Sequence, residues 1–331
     1  MKVSVVIASY NHEKYVARAI ESVLAQTFQD FEIVLTDDAS TDSTFTIAKA
    51  FGDPRISCSR SPRNCGTSST YNACLERARG EYLAVLNSDD MWAPGKLAQQ
   101  VALLDARPDV AAVFTAAELI DENDRLRQGL PGGSIGFAAP HRPRHGWLRQ
   151  FFDVGNSLCH PSVMIRRATH ARVGNYDPRL IQIHDLDLWI RVCLADEIHV
   201  IDTPLTRFRV RDNEANANNT RPGTVARIDW EYEHVMQRFL SLSAHAEFVK
   251  VFPEAAVEAG EWDSATQRYF LAKFAIGGPR PAQRRFGMEL IHGLFGELGA
   301  AKVEQRFGLP LDWYLRMTGD PELIYGRAVK P

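Results

Sequence analysis

One pattern recurs in the first ninety residues. A run of β-branched and aliphatic side chains ends abruptly in polar or acidic ones. "VSVVIA" (3–8) runs into Ser9-Tyr10-Asn11, "FEIVLTDD" ends on Asp37-Asp38, and "EYLAVL" ends in Asn87, Ser88, Asp89 and Asp90. Unbroken apolar runs, as opposed to alternating ones, are the signature of strands buried on both faces. Between them lie helical stretches. "SYNHEKYVARAIESVLAQ" sets Val16, Ile20, Val23 and Leu24 on one face. "STDSTFTIAKAF" opens with capping residues, "TSSTYNACLERA" follows a third short strand "RISCSRS", and Pro94 begins "PGKLAQQVALL" before a strand at "VAAVFTAAELI". Strand and helix alternating over short connections predict an α/β fold with a mostly parallel, Rossmann-like sheet flanked by helices.

In such sheets ligands sit at the carboxyl ends of the strands. The three polar clusters all fall there, which describes a site better than three unrelated loops do. Asp89 and Asp90 have two readings. They can be an exposed turn ahead of the Pro94 helix, or a site for a hard divalent cation, Mn²⁺ or Mg²⁺, which would relieve the repulsion between adjacent carboxylates. Asp37-Asp38 can be a loop in which Ser40, Thr41 or Asp42 caps the next helix, or one acid can accept a hydrogen bond from a ligand base or ribose, with Tyr10 stacking on a planar ring. Later, "IHDLDLWIRV" sets Asp185 just before an amphipathic helix and Asp187 in its first turn. Helix dipoles alone favour acids there; the functional alternative is a general base at Asp185.

The chain excludes several classes. No Gly-x-Gly-x-x-Gly or Gly-Lys-Ser/Thr loop follows the first strand, against dinucleotide-binding and phosphate-loop folds. A formal charge of −3 gives no pull toward nucleic acid. The five cysteines have no metal or redox spacing and read as buried thiols of a cytosolic protein. No run is long and apolar enough to span a bilayer. Residues 122–147 look like a loop or flap, and 148–221 resume mixed structure with strands at "EIHVID" and "TRFRVR". From about 223 the alternation stops and Val225, Ile228, Tyr232, Val235, Met236 and Phe239 form one helical stripe. The expected division is therefore 1–222 and a helical subdomain at 223–331. That tail has balanced charge, which leaves room for peripheral membrane contact at the inner face of the cell membrane or for a homodimer through its helices.

Together "VSVVIASYN", "SVLAQTFQDFEIVLTDDASTD", "NCGTSSTYNACLERARGEYLAVLNSDDMW", "HPSVMIRR…VGNYD" and "HDLDLWIRV" resemble the family-two inverting glycosyltransferases of GT-A fold, over roughly residues 1–215. The resemblance implies a nucleotide-diphosphate sugar donor, usually uridine-linked, and a glycan or lipid-linked acceptor in surface-polysaccharide synthesis. It implies that Ala8, Ser9, Tyr10 and Asp38 hold base and ribose, that Asn87 and Asp89 contact the donor, that Asp90 binds Mn²⁺ or Mg²⁺ and that Asp185 is the base. It places His160 and Asn156 near the acceptor. Three positions depart from the pattern. His184 stands where the family usually has Glu, "SSTYN" lacks a customary Arg, and Arg211 replaces a His that assists metal or diphosphate. An arginine can supply charge but cannot coordinate. Two rivals follow from these features: a non-catalytic nucleotide-sugar-binding module, kept by the departures at His184 and Arg211, and a nucleotidyltransferase, disfavoured because "ASYNHEKY" lacks a glycine- and arginine-rich loop.

Overall fold

The computed structural model describes residues 1–128, 137, 139–211, 221–256 and 262–326. The chain divides into two compact units, Met1–Arg144 with Ser157–Asn219, and His145–Asn156 with Thr220–Pro331.

The first unit is built on β1 (Val3–Ser9), β2 (Phe31–Asp37), β3 (Ile56–Arg60) and β4 (Tyr82–Asn87), with α1 (Val16–Leu24), α2 (Thr44–Lys49) and α3 (Thr67–Arg77) between them. β1 lies parallel to both β2 and β4, so that Ser9 pairs with Asp37 and Ala8 with Asn87. The polar ends of three strands thus arrive level at one rim. Val3, Val5, Ile7, Ile33, Leu35, Ala84 and Leu86 bury one sheet face under Val16, Ala19, Ile20 and Val23 of α1, which is why the apolar runs tolerate no alternation.

Beyond β4 the sheet is mixed, where the pattern of runs predicted mostly parallel pairing. The further strands are β5 (Met91–Trp92), β6 (Val110–Ile120), β7 (Leu126–Arg127), β8 (Met164–Arg166) and β9 (Glu197–Arg209), with α4 (Lys96–Ala106) between β5 and β6. The order is β3-β2-β1-β4-β8-β6-β9-β5, with β7 on β6. β8 runs antiparallel to β4 and β6, and β5 antiparallel to β9. The two strands expected at "EIHVID" and "TRFRVR" are one, β9, parallel to β6. Its pairing shifts register around Pro204, which has no N–H to give to a ladder. Of the loop expected over 122–147, residues 129–136 and 138 lie outside the described residues. α6 (Arg167–Val173) and α7 (His184–Ala195) complete this unit.

The second unit comprises α5 (Arg144–Asp153, from His145 on), α8 (Pro222–Met236), α9 (His245–Val251), α10 (Ser264–Ile276), α11 (Pro281–Leu298), α12 (Ala300–Phe307), α13 (Leu311–Thr318) and α14 (Pro321–Tyr325). Tyr232, Val235, Met236 and Phe239 of the expected stripe are buried, whereas Val225 is exposed. The expected boundary at 222/223 did not anticipate that 145–156 groups with this unit. Its Phe152 ring packs edge-on against Phe239 and Phe252 at 5.1 and 4.9 Å. Gln283 donates to the Phe152 carbonyl at 2.7 Å and the Tyr232 hydroxyl to that of Phe151 at 3.0 Å. No helix among the described residues is long and apolar enough to cross a membrane.

One core residue of the first unit is unexpected. Lys96, fully buried at the start of α4, sets its Nζ 2.8 Å from Gln100 Oε1 and 3.8 Å over the Trp92 ring. Gln100 is oriented by donating its amide to the Val113 and Ser162 carbonyls. Burial pushes the Lys96 amine well below its ordinary value. A pKa lowered on folding means that the unfolded chain binds this proton more readily than the folded one, so stability rises with pH up to the ordinary lysine range. Lys96→Met should raise the melting temperature at pH 7, by about 2–4 °C for each kcal/mol gained, and flatten the rise in stability between pH 7 and pH 9. A lowered Tm would mean that Lys96 is charged and stabilised by the Trp92 face.

Candidate active site

The rim assembles from turns that the sequence makes for local reasons. After β1, Asn11 adopts a left-handed conformation with φ of 52°, which Asn tolerates better than most residues. Its amide donates to Ser40 Oγ at 2.9 Å and its Oδ1 accepts from the Thr41 amide at 2.8 Å. The loops after β1 and β2 are thereby zipped together. Asp37, fully buried, accepts from the Ser40 amide at 2.9 Å and also from the Ser40 hydroxyl, with Ser9 Oγ 3.4 Å away. The two acids of the pair therefore part company. Asp37 locks the loop, and Asp38 turns toward the start of α3.

Asp38 spends both oxygens on backbone. Oδ1 accepts from the Cys65 amide at 2.8 Å and Oδ2 from the Gly66 amide at 2.9 Å. Gly66 precedes α3 with φ of 86°, a left-handed angle that favours glycine. Tyr10 stands 43% exposed beside this loop, open to a planar ring, and Ala8 is partly accessible between Thr36 and Asn87.

The acidic turn after β4 is buried, not an exposed loop. Asp90 is fully buried and accepts from Asn87 Nδ2 at 2.8 Å and the Arg209 amide at 2.7 Å. Burial, then the Asp89 charge, pushes its carboxyl well above the ordinary range. Asn87 is itself oriented by the Tyr71 hydroxyl, which donates to its Oδ1 at 2.8 Å from inside α3. Arg209 is wholly buried. It donates to the Asp89 carbonyl at 2.7 Å and the Asp121 carbonyl at 2.6 Å, pairs with Asp124 at 2.5 Å and lies 4.8 Å over the Tyr15 ring. The Asp89 side chain forms an ion pair with Arg211 Nε at 3.3 Å and lies 3.7 Å from His12 Nε2. His12 reaches Ser88 Oγ through Nδ1 at 2.7 Å and Arg211 Nη1 through Nε2 at 3.0 Å.

This geometry tests the expected cation. Among the described residues no group of three His, Cys, Asp or Glu side chains stands ready to hold a metal. Asp90 is desolvated and hydrogen-bonded on both oxygens, Asp89 is paired with a guanidinium, and the nearby imidazole faces that same guanidinium. These residues do not fit a Mn²⁺ or Mg²⁺ site built on Asp90.

On the other flank, α7 presents its two acids differently. Asp187 is buried and paired with Arg191 at 2.7 Å, and Arg191 also holds the Gly174 and Asn175 carbonyls. Asp185 is only partly buried, and its Oδ1 accepts from the Leu186 amide at 2.7 Å. Its charge is felt at the site. After burial itself, the Asp90 and Asp185 carboxylates both help to push the Cys159 thiol well above its ordinary value. The His184 ring is directed by Nδ1 toward the Ile181 carbonyl at 3.1 Å, leaving a buried Nε2 with no hydrogen-bond partner among the described residues. His160 meets the Tyr176 hydroxyl at 2.9 Å and packs edge-on to Tyr71 and His184; burial pushes its imidazole well below the ordinary range. Asn156 is exposed and belongs to the second unit.

Comparison with known proteins gives the fold its family. A model described as "Glycosyl transferase family 2" matches residues 4–171. The chain belongs to that family. It is 32% identical over 219 residues to an uncharacterized glycosyltransferase of Methanocaldococcus jannaschii, covering 64% of this chain and 72% of that one. It is 29% identical over 218 residues to the Escherichia coli protein named UDP-Glc:alpha-D-GlcNAc-diphosphoundecaprenol beta-1,3-glucosyltransferase WfaP, covering 65% and 80%. With Bacillus subtilis EpsE it shares 33% over 195 residues, 57% of this chain and 66% of that one. Residues 1–349 of Staphylococcus aureus TarS, solved in complex with UDP-GlcNAc, superpose with a TM-score of 0.58 at 18% identity, covering 93% of this chain and 92% of that one. That likeness is one of fold, and it fits the GT-A α/β architecture.

Three features of the transferase's site escaped the sequence. His12 was a member of the first turn with no recognisable signature, although any polar residue after β1 shares the rim. Tyr71 lies within the helical stretch "TSSTYNACLERA" with no mark of its own, and its hydroxyl is what orients Asn87. Arg209 lies in the expected strand "TRFRVR", where it reads equally as a donor contact or as a charge on a solvated face, yet it is the buried strut of the acidic turn. Arg209→Lys keeps the charge but loses the fork that joins two carbonyls and Asp124. It should cost about 2–4 kcal/mol in urea unfolding and weaken nucleotide binding with it. Unchanged stability would show that the turn stands without this side chain.

Proposed function

We propose that the protein is an inverting glycosyltransferase that moves a sugar from a nucleotide-diphosphate donor, UDP-linked, to a hydroxyl of a glycan or lipid-linked acceptor in surface-polysaccharide synthesis. The observation that carries the reading is the level rim formed by Ser9, Asp37-Asp38 and Asn87–Asp90, with Asp185 next to His184, whose ring packs on His160 and through it on the Tyr71 that bonds Asn87. The donor class is supported by TarS, solved with UDP-GlcNAc and with UDP. The acceptor class is supported by WfaP, whose name specifies a diphosphoundecaprenol acceptor.

The residues divide the work as follows. Tyr10 offers a face for the base, and Asp38 fixes the loop against which base and ribose lie. Asn87 and Asp89 meet the donor. Asp185 takes the proton from the acceptor hydroxyl as its oxygen bonds the anomeric carbon, while the bond from that carbon to the diphosphate oxygen breaks. The nucleoside diphosphate leaves with the bonding pair, and one displacement inverts the centre. His184 Nε2, an acceptor by virtue of the hydrogen bond at Nδ1, serves a substrate hydroxyl beside the base. The protein acts on the cytoplasmic side, where nucleotide sugars are drawn.

A thermal-shift panel of nucleotide sugars tests the donor. A ligand of the folded state raises Tm with the logarithm of its concentration above Kd, and a panel without any shift would refute the reading. The two acids of α7 give the sharper contrast. Asp185→Asn should cut turnover by about 10²–10⁴-fold while donor affinity holds, measured by product formation and calorimetry. Asp187→Asn should instead lower stability, because it leaves the partly buried Arg191 without its charge partner. Normal turnover by Asp185→Asn would remove it as the base.

A further inference from the structure

The donor reading leaves a question of charge. A departing nucleoside diphosphate must be met by positive charge at the rim, and the family's answer is a metal whose donor set the described residues do not assemble. Among the described residues, the arginines that bond Asp89 in the acidic turn are Arg209 and Arg211. Arg209 is fully buried and bonded to the Asp89 and Asp121 carbonyls and to Asp124. Arg211 differs: its side chain keeps 15% exposure and lies directly on the acidic turn, 3.3 Å from Asp89 Oδ2.

The hydrogen bonds of His12 sharpen the point. A guanidinium has donors only, so the 3.0 Å contact from Arg211 Nη1 makes His12 Nε2 the acceptor. The ring proton then sits on Nδ1 and is donated to Ser88 Oγ at 2.7 Å. The imidazole nearest Asp89 therefore spends its lone pair on Arg211, and that lone pair is what a metal would need. Arginine does not deprotonate in proteins, so Arg211 remains a fixed positive charge where a divalent ion would have to approach. Its planar fork suits phosphate oxygens and can hold a carboxylate and a phosphate together.

Taking the nucleotide-diphosphate donor as given, we propose that Arg211, oriented by Asp89 and His12, takes the electrostatic place of the divalent cation, so that the nucleoside diphosphate binds and departs against a guanidinium without metal. His12 is a positioning residue in this arrangement; Arg211 touches the phosphate.

Calorimetry on the full chain freed of metal by EDTA decides it, using UDP and GDP as probes, UMP as the control, and each titration repeated with Mn²⁺. The wild type should bind a nucleoside diphosphate in EDTA within about threefold of its affinity in Mn²⁺. Arg211→Gln should weaken that binding by about 10–100-fold, the worth of charge-assisted hydrogen bonds, and change UMP binding far less. Arg211→His should make diphosphate binding depend on Mn²⁺ by tenfold or more, with Mn²⁺ uptake visible by electron paramagnetic resonance. The wild-type comparison does not depend on how the variants fold. A tenfold loss of wild-type affinity in EDTA, or stoichiometric Mn²⁺ uptake by the wild type, overturns the inference while leaving the donor class standing. No binding of UDP or GDP under either condition overturns the donor class and this inference with it.

Discussion

Two adjacent carboxylates at the end of a buried strand set the terms for the rest of the first unit. Asp89 and Asp90 lie out of water, and desolvation of that kind must be offset by fixed partners. The partners come from far along the chain. β9 brings the Arg209 amide to Asp90 and the Arg209 guanidinium to the Asp89 carbonyl, and Arg211 follows to the Asp89 side chain. The carboxyl end of β9 is therefore anchored to the carboxyl end of β4 by charge, although three strands of the sheet order, β8, β6 and β9 itself, follow β4 before the small β5 edge is reached. The two-residue β5, antiparallel to β9 through Met91 and Trp92, is the backbone counterpart of the same tie.

Much of this was legible in the sequence. β1, β2 and β4 are read from their unbroken apolar runs, because a strand covered on both faces leaves little room for polar residues. The rim follows from the rule that ligands gather at strand carboxyl ends. Short elements were not legible: β8 has three residues and takes its direction from the turn at His160–Ser162, so no periodicity could report it. Nor could the pattern separate the members of each acidic pair. Asp37 against Asp38, and Asp185 against Asp187, are distinguished by burial and by partners such as Ser40, the Cys65 and Gly66 amides and Arg191, all of which are tertiary facts. His12 shows the same limit, since its meaning comes from Arg211, which lies 199 residues away.

The double duty of Asp38 bears on how this site can change. Its carboxylate caps the approach to α3 through the Cys65 and Gly66 amides, and α3 carries the Tyr71 hydroxyl that orients Asn87. The loop after β2, the entry to α3 and the acidic turn are joined in one series of hydrogen bonds through α3.

The second unit is not a plain appendage. Its α5 segment, 145–156, is encoded between β7 and β8, so the chain leaves the first unit, contributes the Phe152 ring to the aromatic cluster with Phe239 and Phe252, and returns. Cutting the chain after β9 would remove Phe239 and Phe252, the rings against which Phe152 packs. The unit is discontinuous in sequence, so a graft that replaced it would have to carry 145–156 and the segment from 220 onward at once.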